Sequence, residues 1–179
     1  MGTYLYRVLG ACALDRGVYE GIEADRRPIV TFEAFATVVL ASLAAGLGGV
    51  GMYGRDFAAF GVVTGLALVM WFFGAVLVLQ IGTRVLPEAG THADLGELLR
   101  TIGFAAAPGL LQAFGVLPAV TKPLFVVTGI WMLVAMVVAV RQALDFHTTT
   151  RAIAVCGLAA LLSILMAVVL SVLFVRGAF

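Results

Sequence analysis

Residues 100–118 read RTIGFAAAPGLLQAFGVLP, and the way this stretch folds decides how often the chain crosses a membrane. It is apolar after Arg100 and long enough to span a bilayer, yet Pro108-Gly109 falls near its middle. Proline lacks the N–H that would bond the carbonyl of Phe104, and its ring crowds the same carbonyl. In lipid a freed carbonyl needs a partner from the protein, so neighbouring helices are predicted to enclose the stretch. Gly103 and Ala107, spaced i, i+4, leave a groove for another backbone. One reading is a proline-kinked span with a packing role. The other is a broken helix lining a small polar cavity.

Composition sets the surroundings. Of 179 residues, 63% are hydrophobic and 12% charged, with a mean hydropathy of +1.12. A soluble domain is about half apolar and about a quarter charged, so the chain belongs to the polytopic membrane class. A net charge of +1 excludes a basic nucleic-acid-binding domain. Cys12 and Cys156 lie far apart, outside any metal or redox spacing, and are not expected to form a disulfide. No secretory signal is seen, because the first long apolar run starts near residue 29. Tyr6 stands where a myristoylation signal needs Ser or Thr.

Outward from the central stretch, the spacing predicts an all-α bundle. Residues 1–28 form a polar block. Tyr4, Leu5, Val8, Leu9 and Cys12 recur at helical spacing. Asp15 then caps a second helix with Val18, Tyr19 and Ile22 on one face. This block is expected to lie in the cytoplasmic membrane interface, with Arg7, Arg16, Arg26 and Arg27 near the headgroups. Residues 29–179 make the membrane domain, an integral helical bundle of five transmembrane helices at roughly 29–50, 57–83, 98–117, 123–141 and 152–175. Pro118 and Pro123 bracket Lys122 in an expected tight turn. With the N-terminus in the cytoplasm, eight of the 11 Lys and Arg residues fall inside, and Arg55, Lys122 and Arg176 fall outside. A third stretch folded back as two half-helices would leave the same eight-to-three split. Charge alone does not choose, whereas a single kinked helix leaves fewer carbonyls unsatisfied.

Several side chains are candidate substrate or partner sites. Glu33 lies in the first turns of the first span, where it is either a functional intramembrane carboxylate or one held by the helix dipole with no partner. Arg141 and Asp145 can pair at i, i+4 if the helix continues that far. With His147 and Arg151 they make a junction, and Thr148, Thr149 or Thr150 can cap the last span. Gln80 and Arg84 can meet Arg100 or Glu97 across the loop, or Arg84 can snorkel. Pro108 and Gly109 complete the set. His92, Asp94, Glu97, Asp145 and His147 share one side, but they lack dense metal-ligand spacing. No metal or cofactor is expected. Ser42, Ser163 and Ser171 have no histidine at hand, so no catalytic constellation is present and an enzyme is not expected.

The run RTIGFAAAPGLLQAFGVLP followed by GIWMLVAMVVAVRQALDFHTTTRAIAV resembles the Yip family, polytopic proteins named for interacting with Ypt/Rab GTPases. The carriers are Gly-Phe followed by Ala-Ala-Pro, a Pro after the third span, a Trp early in the fourth and an Arg-x-Ala…Thr-x-Arg-Ala junction. DRGVYEGIEADRR resembles the lead-in of bacterial members. The resemblance implies a non-catalytic scaffold or membrane organiser, with the bilayer, a second copy or another membrane protein as partner. Eukaryotic relatives act in vesicle trafficking. This chain lacks their long polar N-terminal region, which argues against Rab binding. Its short links point to a bacterial or archaeal inner membrane. The alternative function is a small transporter built around the broken third span.

Overall fold

The computed structural model describes residues 2–53, 57–87 and 94–177. Two short helices come first, α1 (Gly2–Cys12) and α2 (Arg16–Ala24). Two long ones follow, α3 (Pro28–Tyr53) and α4 (Phe57–Gln80). A π-helical turn, Ile81–Val85, closes α4. Next come α5 (Leu95–Phe104), a 3-10 helix (Ala107–Val116), α6 (Pro118–Ala143) and α7 (Thr149–Gly177). Among the described residues there is no strand. Among the described residues, four helices are long and apolar enough to cross a membrane, within Pro28–Met52, Phe60–Val85, Pro118–Ala143 and Thr149–Val169.

The central stretch is not one kinked α-helix. The α-helical pattern stops at Phe104, ahead of the proline, and Ala106 N–H bonds Gly103 O in a tighter turn. Pro108 then stands in the first turn of the 3-10 helix, where its missing N–H has no helical partner to lose. The proline therefore starts the second half instead of bending the first. The fourth span also departs from expectation. It begins at Pro118, and Pro123 lies inside it. Thr121 stabilises this proline-flanked first turn by donating to the carbonyls of Gly115 (2.6 Å) and Leu117 (3.0 Å).

Helix α3 is the hub. Half of its most apolar window is buried, against 11% for α4, which is the most exposed of the four long helices. It runs parallel to α5 and the 3-10 helix, and the register can be read from the glycines. A Cβ on Gly103 would meet Ala34 Cβ at 2.9 Å. Gly109 sits against Ala41, Gly48 against the carbonyl of Gln112, and Gly51 against that of Gly115. Small residues let the two backbones touch, and dispersion replaces the hydrophobic effect that lipid does not provide. On the other side of the 3-10 helix, α6 runs antiparallel. There the buried Gln112 donates to Thr128 Oγ1 (3.0 Å), which donates to Leu124 O (2.7 Å).

The glycines differ in their surroundings. Gly48, Gly51 and Gly103, where α3 meets the broken segment, have no room for a methyl group, whereas Gly61 and Gly65 on α4 face open space. Gly48→Ala and Gly103→Ala are expected to destabilise the fold by about 1–3 kcal/mol. Gly61→Ala and Gly65→Ala should be neutral or slightly stabilising. Thermal unfolding in detergent, followed by circular dichroism, tests the contrast.

Candidate functional site

The polar chemistry gathers at the end where α1 and α2 meet the bundle. On α1, Tyr4, Arg7, Val8 and Ala11 form one stripe at helical spacing, and this stripe faces inward. Arg7 is 7% exposed. Its guanidinium donates to Glu33 Oε2 at 2.6 Å and to Asp25 Oδ2 at 2.7 Å. Asp25 is held in turn by Arg27, at 2.6 and 2.8 Å. One arginine thus joins α1, the α2–α3 link and the second turn of α3. Thr37 donates to Glu33 O (2.8 Å), which leaves the Tyr4 hydroxyl to donate to Thr37 Oγ1 (3.1 Å). Deeper still, Trp131 Nε1–H donates to Cys12 O at 2.8 Å.

Two expectations change here. Arg7 does not point outward, as a headgroup contact requires, but is buried and doubly paired. Glu33 is not an isolated carboxylate held by a helix dipole, because it has Arg7. The opposite face of α1 carries Leu5, Tyr6 and Leu9, each well over half exposed. A helix that turns its arginine inward and Leu5, Tyr6 and Leu9 outward departs from water-soluble packing. Leu5 and Leu9 therefore do not join the core that Tyr4, Val8 and Cys12 pack against.

Helix α2 has the cap and face its sequence implies. Asp15 accepts from Gly17 N–H at 2.9 Å, and Val18, Tyr19 and Ile22 are buried. Its last turn receives Arg100, 5% exposed, which donates to Glu23 O at 3.3 Å. A cation at a helix C-terminus is stabilised by the dipole. Arg26, largely exposed, pairs with Glu97 at 2.9 Å, a surface contact of modest value. Burial, with the carboxylates of Asp145, Glu97 and Glu20 nearby, pushes the Glu23 carboxyl above its ordinary range. The contact with Arg27 holds the Asp25 carboxyl well below its ordinary range.

The α6–α7 junction also differs from the expected pair. The helix stops at Ala143, and Asp145 takes a left-handed backbone (φ 52°), so it does not reach Arg141 as an i+4 partner. Arg141 instead clamps the link, donating to Phe146 O (3.4 Å), His147 O (3.3 Å) and Thr149 Oγ1 (2.9 Å). Arg151 donates to Pro87 O at 2.6 Å. Between this junction and α2 lies a cleft of about 590 Å³, lined by Arg16, Glu20, Arg141, Asp145 and His147 over a floor that includes Val137 and Val138. Arg84 lies exposed on the π turn. Glu97, its expected neighbour, pairs with Arg26. His92 falls outside the described residues, and among those described no group of three His, Cys, Asp or Glu stands close enough to hold a metal.

Pro108 and Gly109 lie apart from all these charges. Both are buried, and Gly109 is packed against Met132 and Ala41. Alongside the break runs a second, apolar groove of about 250 Å³, lined by residues that include Trp71, Ala106, Met132 and Met136.

Residues 16–170 match a family model described as the Yip1 domain, from the start of α2 through most of α7. The chain belongs to the Yip family. No curated protein and no solved structure matches it. Four long apolar helices on a Yip domain make the chain an integral membrane protein in contact with lipid. Within this Yip-family chain, Arg7 is the residue that sequence reasoning misplaced. The available signal was its position three after Tyr4 and four before Ala11, on the stripe that became the inward face. Arg16 was expected near the headgroups, and nothing local in sequence places it or Glu20 opposite Asp145.

Removing Arg7 strands Glu33 and leaves Asp25 to Arg27 alone. Arg7→Leu is expected to cost about 3–5 kcal/mol, and adding Glu33→Leu should recover part of that loss. The pH dependence has two opposed parts. Asp25, with its folded pKa depressed, stabilises the fold above the unfolded value near ~4 and loses that contribution as pH falls further. Glu23, with its folded pKa raised, does the reverse, and stability declines as pH rises from ~4.3 through the folded value. Glu23→Gln should remove this second dependence in unfolding measured from pH 4 to 8.

Proposed function

We propose that the protein is a non-catalytic scaffold of the cytoplasmic membrane of a bacterium or archaeon, crossing five times with its N-terminus inside. Association with itself or with another membrane protein is its activity. The observation that supports this best is the Arg7–Asp25–Glu33 clasp, which invests a buried ion-pair network in fastening α1 to the bundle and forms no reactive centre. Such networks tend to specify one arrangement more than they add stability. Here the arrangement specified is a rigid polar end. The exposed apolar length of α4 leaves surface for a neighbour in the membrane.

The fifth crossing rests on register. Contacts from Ala34–Gly103 to Gly51–Gly115 keep the broken segment beside α3 for seventeen residues, about 25 Å at 1.5 Å per residue. Ten α-helical and ten 3-10 residues together reach about 35 Å, enough for a hydrocarbon core of about 30 Å. A re-entrant hairpin would instead bring its second half back toward Ala34. The permeation reading needs a polar cavity at Pro108–Gly109. Met132 and Ala41 occupy that contact, and the nearby Gln112 and Thr128 satisfy each other. This packing speaks against transport.

Helix α1 belongs in the inner leaflet rather than on it. Trp131, which holds Cys12, stands twelve residues before the end of α6 at Ala143, about 18 Å along the helix from that end. Leu5, Tyr6 and Leu9 then face acyl chains.

Three measurements bear on this reading. Single cysteines at Ala119 and Thr149, in a background without Cys12 and Cys156, should label from opposite sides of a sealed membrane with an impermeant reagent. Cytoplasmic labelling of residue 119 would remove the fifth crossing. A Tyr6→Trp reporter should be quenched by lipids brominated on the acyl chain, whereas quenching only by an aqueous quencher returns α1 to the surface. Pull-down and cross-linking in mild detergent should recover a stable complex or self-association, and recovery of neither sinks the scaffold role.

A further inference from the structure

The cleft between α2 and the α6–α7 junction gathers charge of both signs that its own residues do not neutralise. Arg16, Glu20 and Asp145 all line it, and none has an ion-pair partner among the described residues. Arg141 spends its Nε–H and one N–H of each terminal nitrogen on the link, which leaves two N–H groups over. The cleft therefore offers donors from two guanidiniums and acceptors from two carboxylates. Opposite charges in a shared cleft usually find each other. Arg16 and Glu20 share α2 but form no ion pair, and Asp145 stands on a separate element, fixed on the link by its left-handed backbone.

The apolar floor says where the ligand comes from. Val137 and Val138 line the cleft near the end of α6. Ile130 and Val134 continue the line down the helix at i, i+4, i+7 spacing with Val137, and they are 59% and 44% exposed. A continuous apolar track thus leads from the membrane-facing wall of α6 into a charged cleft at its end. A soluble metabolite has no use for that track, whereas a lipid fills both parts at once. The volume, about 590 Å³, lies within the usual range for small-molecule sites.

From this juxtaposition we infer that the cleft binds the zwitterionic headgroup of a phospholipid with a primary ammonium, of the phosphatidylethanolamine type. Arg16 and Arg141 take the phosphate, Glu20 and Asp145 take the ammonium, and one acyl chain lies along Val137, Val134 and Ile130. Guanidinium–phosphate contacts supply charge-assisted hydrogen bonds. A primary ammonium has three N–H donors for the carboxylates, and a trimethylammonium has none, so the carboxylate pole discriminates between the two zwitterionic lipids. The inference stands apart from the scaffold reading, since a lipid site is filled whether or not a protein partner exists.

Native mass spectrometry of the full-length protein in mild detergent, titrated with short-chain lipids, tests it. Phosphatidylethanolamine should bind about tenfold more tightly than phosphatidylcholine or phosphatidylglycerol, the loss expected when a charge-assisted hydrogen bond goes unmade. Glycerophosphoethanolamine, which has the headgroup without tails, should bind far more weakly than the lipid. Arg16→Gln and Asp145→Asn should each weaken phosphatidylethanolamine about tenfold. Both positions are exposed, and asparagine tolerates the left-handed backbone, so unfolding profiles should not change. Lys122→Gln, at the other end of α6, should change nothing. Equal binding of the choline lipid, or unchanged affinity in both cleft variants, overturns the proposal. Equal binding of phosphatidylglycerol reduces the cleft to an anion site and overturns the zwitterionic assignment. Tail-less headgroup binding as tightly as the lipid assigns the cleft to a soluble ligand instead.

Discussion

The close approach of α3 to the broken third segment governs the bundle. In a bilayer every backbone N–H and C=O must be satisfied within the protein, and a segment that changes from α-helix to 3-10 helix is the hardest to place. This chain places it between α3 and α6, with residues 101–109 all buried. Gly103, Gly48 and Gly51 remove the side chains that would hold the backbones apart. Thr121 and the Gln112–Thr128 pair supply hydrogen bonds from the other side. The least buried long helix, α4, can then be apolar nearly all round, because its task is to meet lipid and to pack on that core.

The polar end follows a different rule. A buried arginine is tolerable only when its charge is paired and its donors are used. Arg7 meets that condition by drawing on three parts of the chain, and so α1 cannot shift without breaking ion pairs on both the α2–α3 link and α3. Arg100 meets it only in part, fastening α2 through Glu23 O while its Nε stays without a partner among the described residues, and Arg141 fastens the α6–α7 link. Each arginine ends up clamping backbone or carboxylate of another element. The cleft brings together Arg16, Glu20 and Asp145, three charges with no ion-pair partner among the described residues. That is why the cleft, and not the proline break, is where the molecule offers chemistry to a ligand.

Much of this was legible in the residues. Composition alone placed the chain in a membrane, since its apolar and charged fractions lie far outside the soluble range. Apolar length located the long helices, and Asp15 with Val18, Tyr19 and Ile22 located α2 and its inward face. The glycine spacing marked where a backbone would approach at Gly103. These features depend on local pattern or on totals, which a sequence carries in full. The motifs around Pro108, Trp131 and Arg151 also carried the family, through residues within the stretch that the Yip1 domain matches.

What the sequence could not decide was which long-range partner each charge would take. Glu33 and Arg7 are 26 residues apart, and Arg26 and Glu97 are 71 apart. No periodicity links such positions, because their meeting depends on how whole helices pack. The same holds for the proline. Locally Pro108 predicts a kink, but the tertiary setting ends the α-helix earlier, at Phe104, and uses the proline to begin a tighter one. Asp145 was a plausible i+4 partner of Arg141 until the helix stopped short of it. Sequence determined the solvent, the helices and the family, because those follow from composition and short spacing. Tertiary structure decided the pairings and the cleft, because those follow from elements brought together across the whole chain.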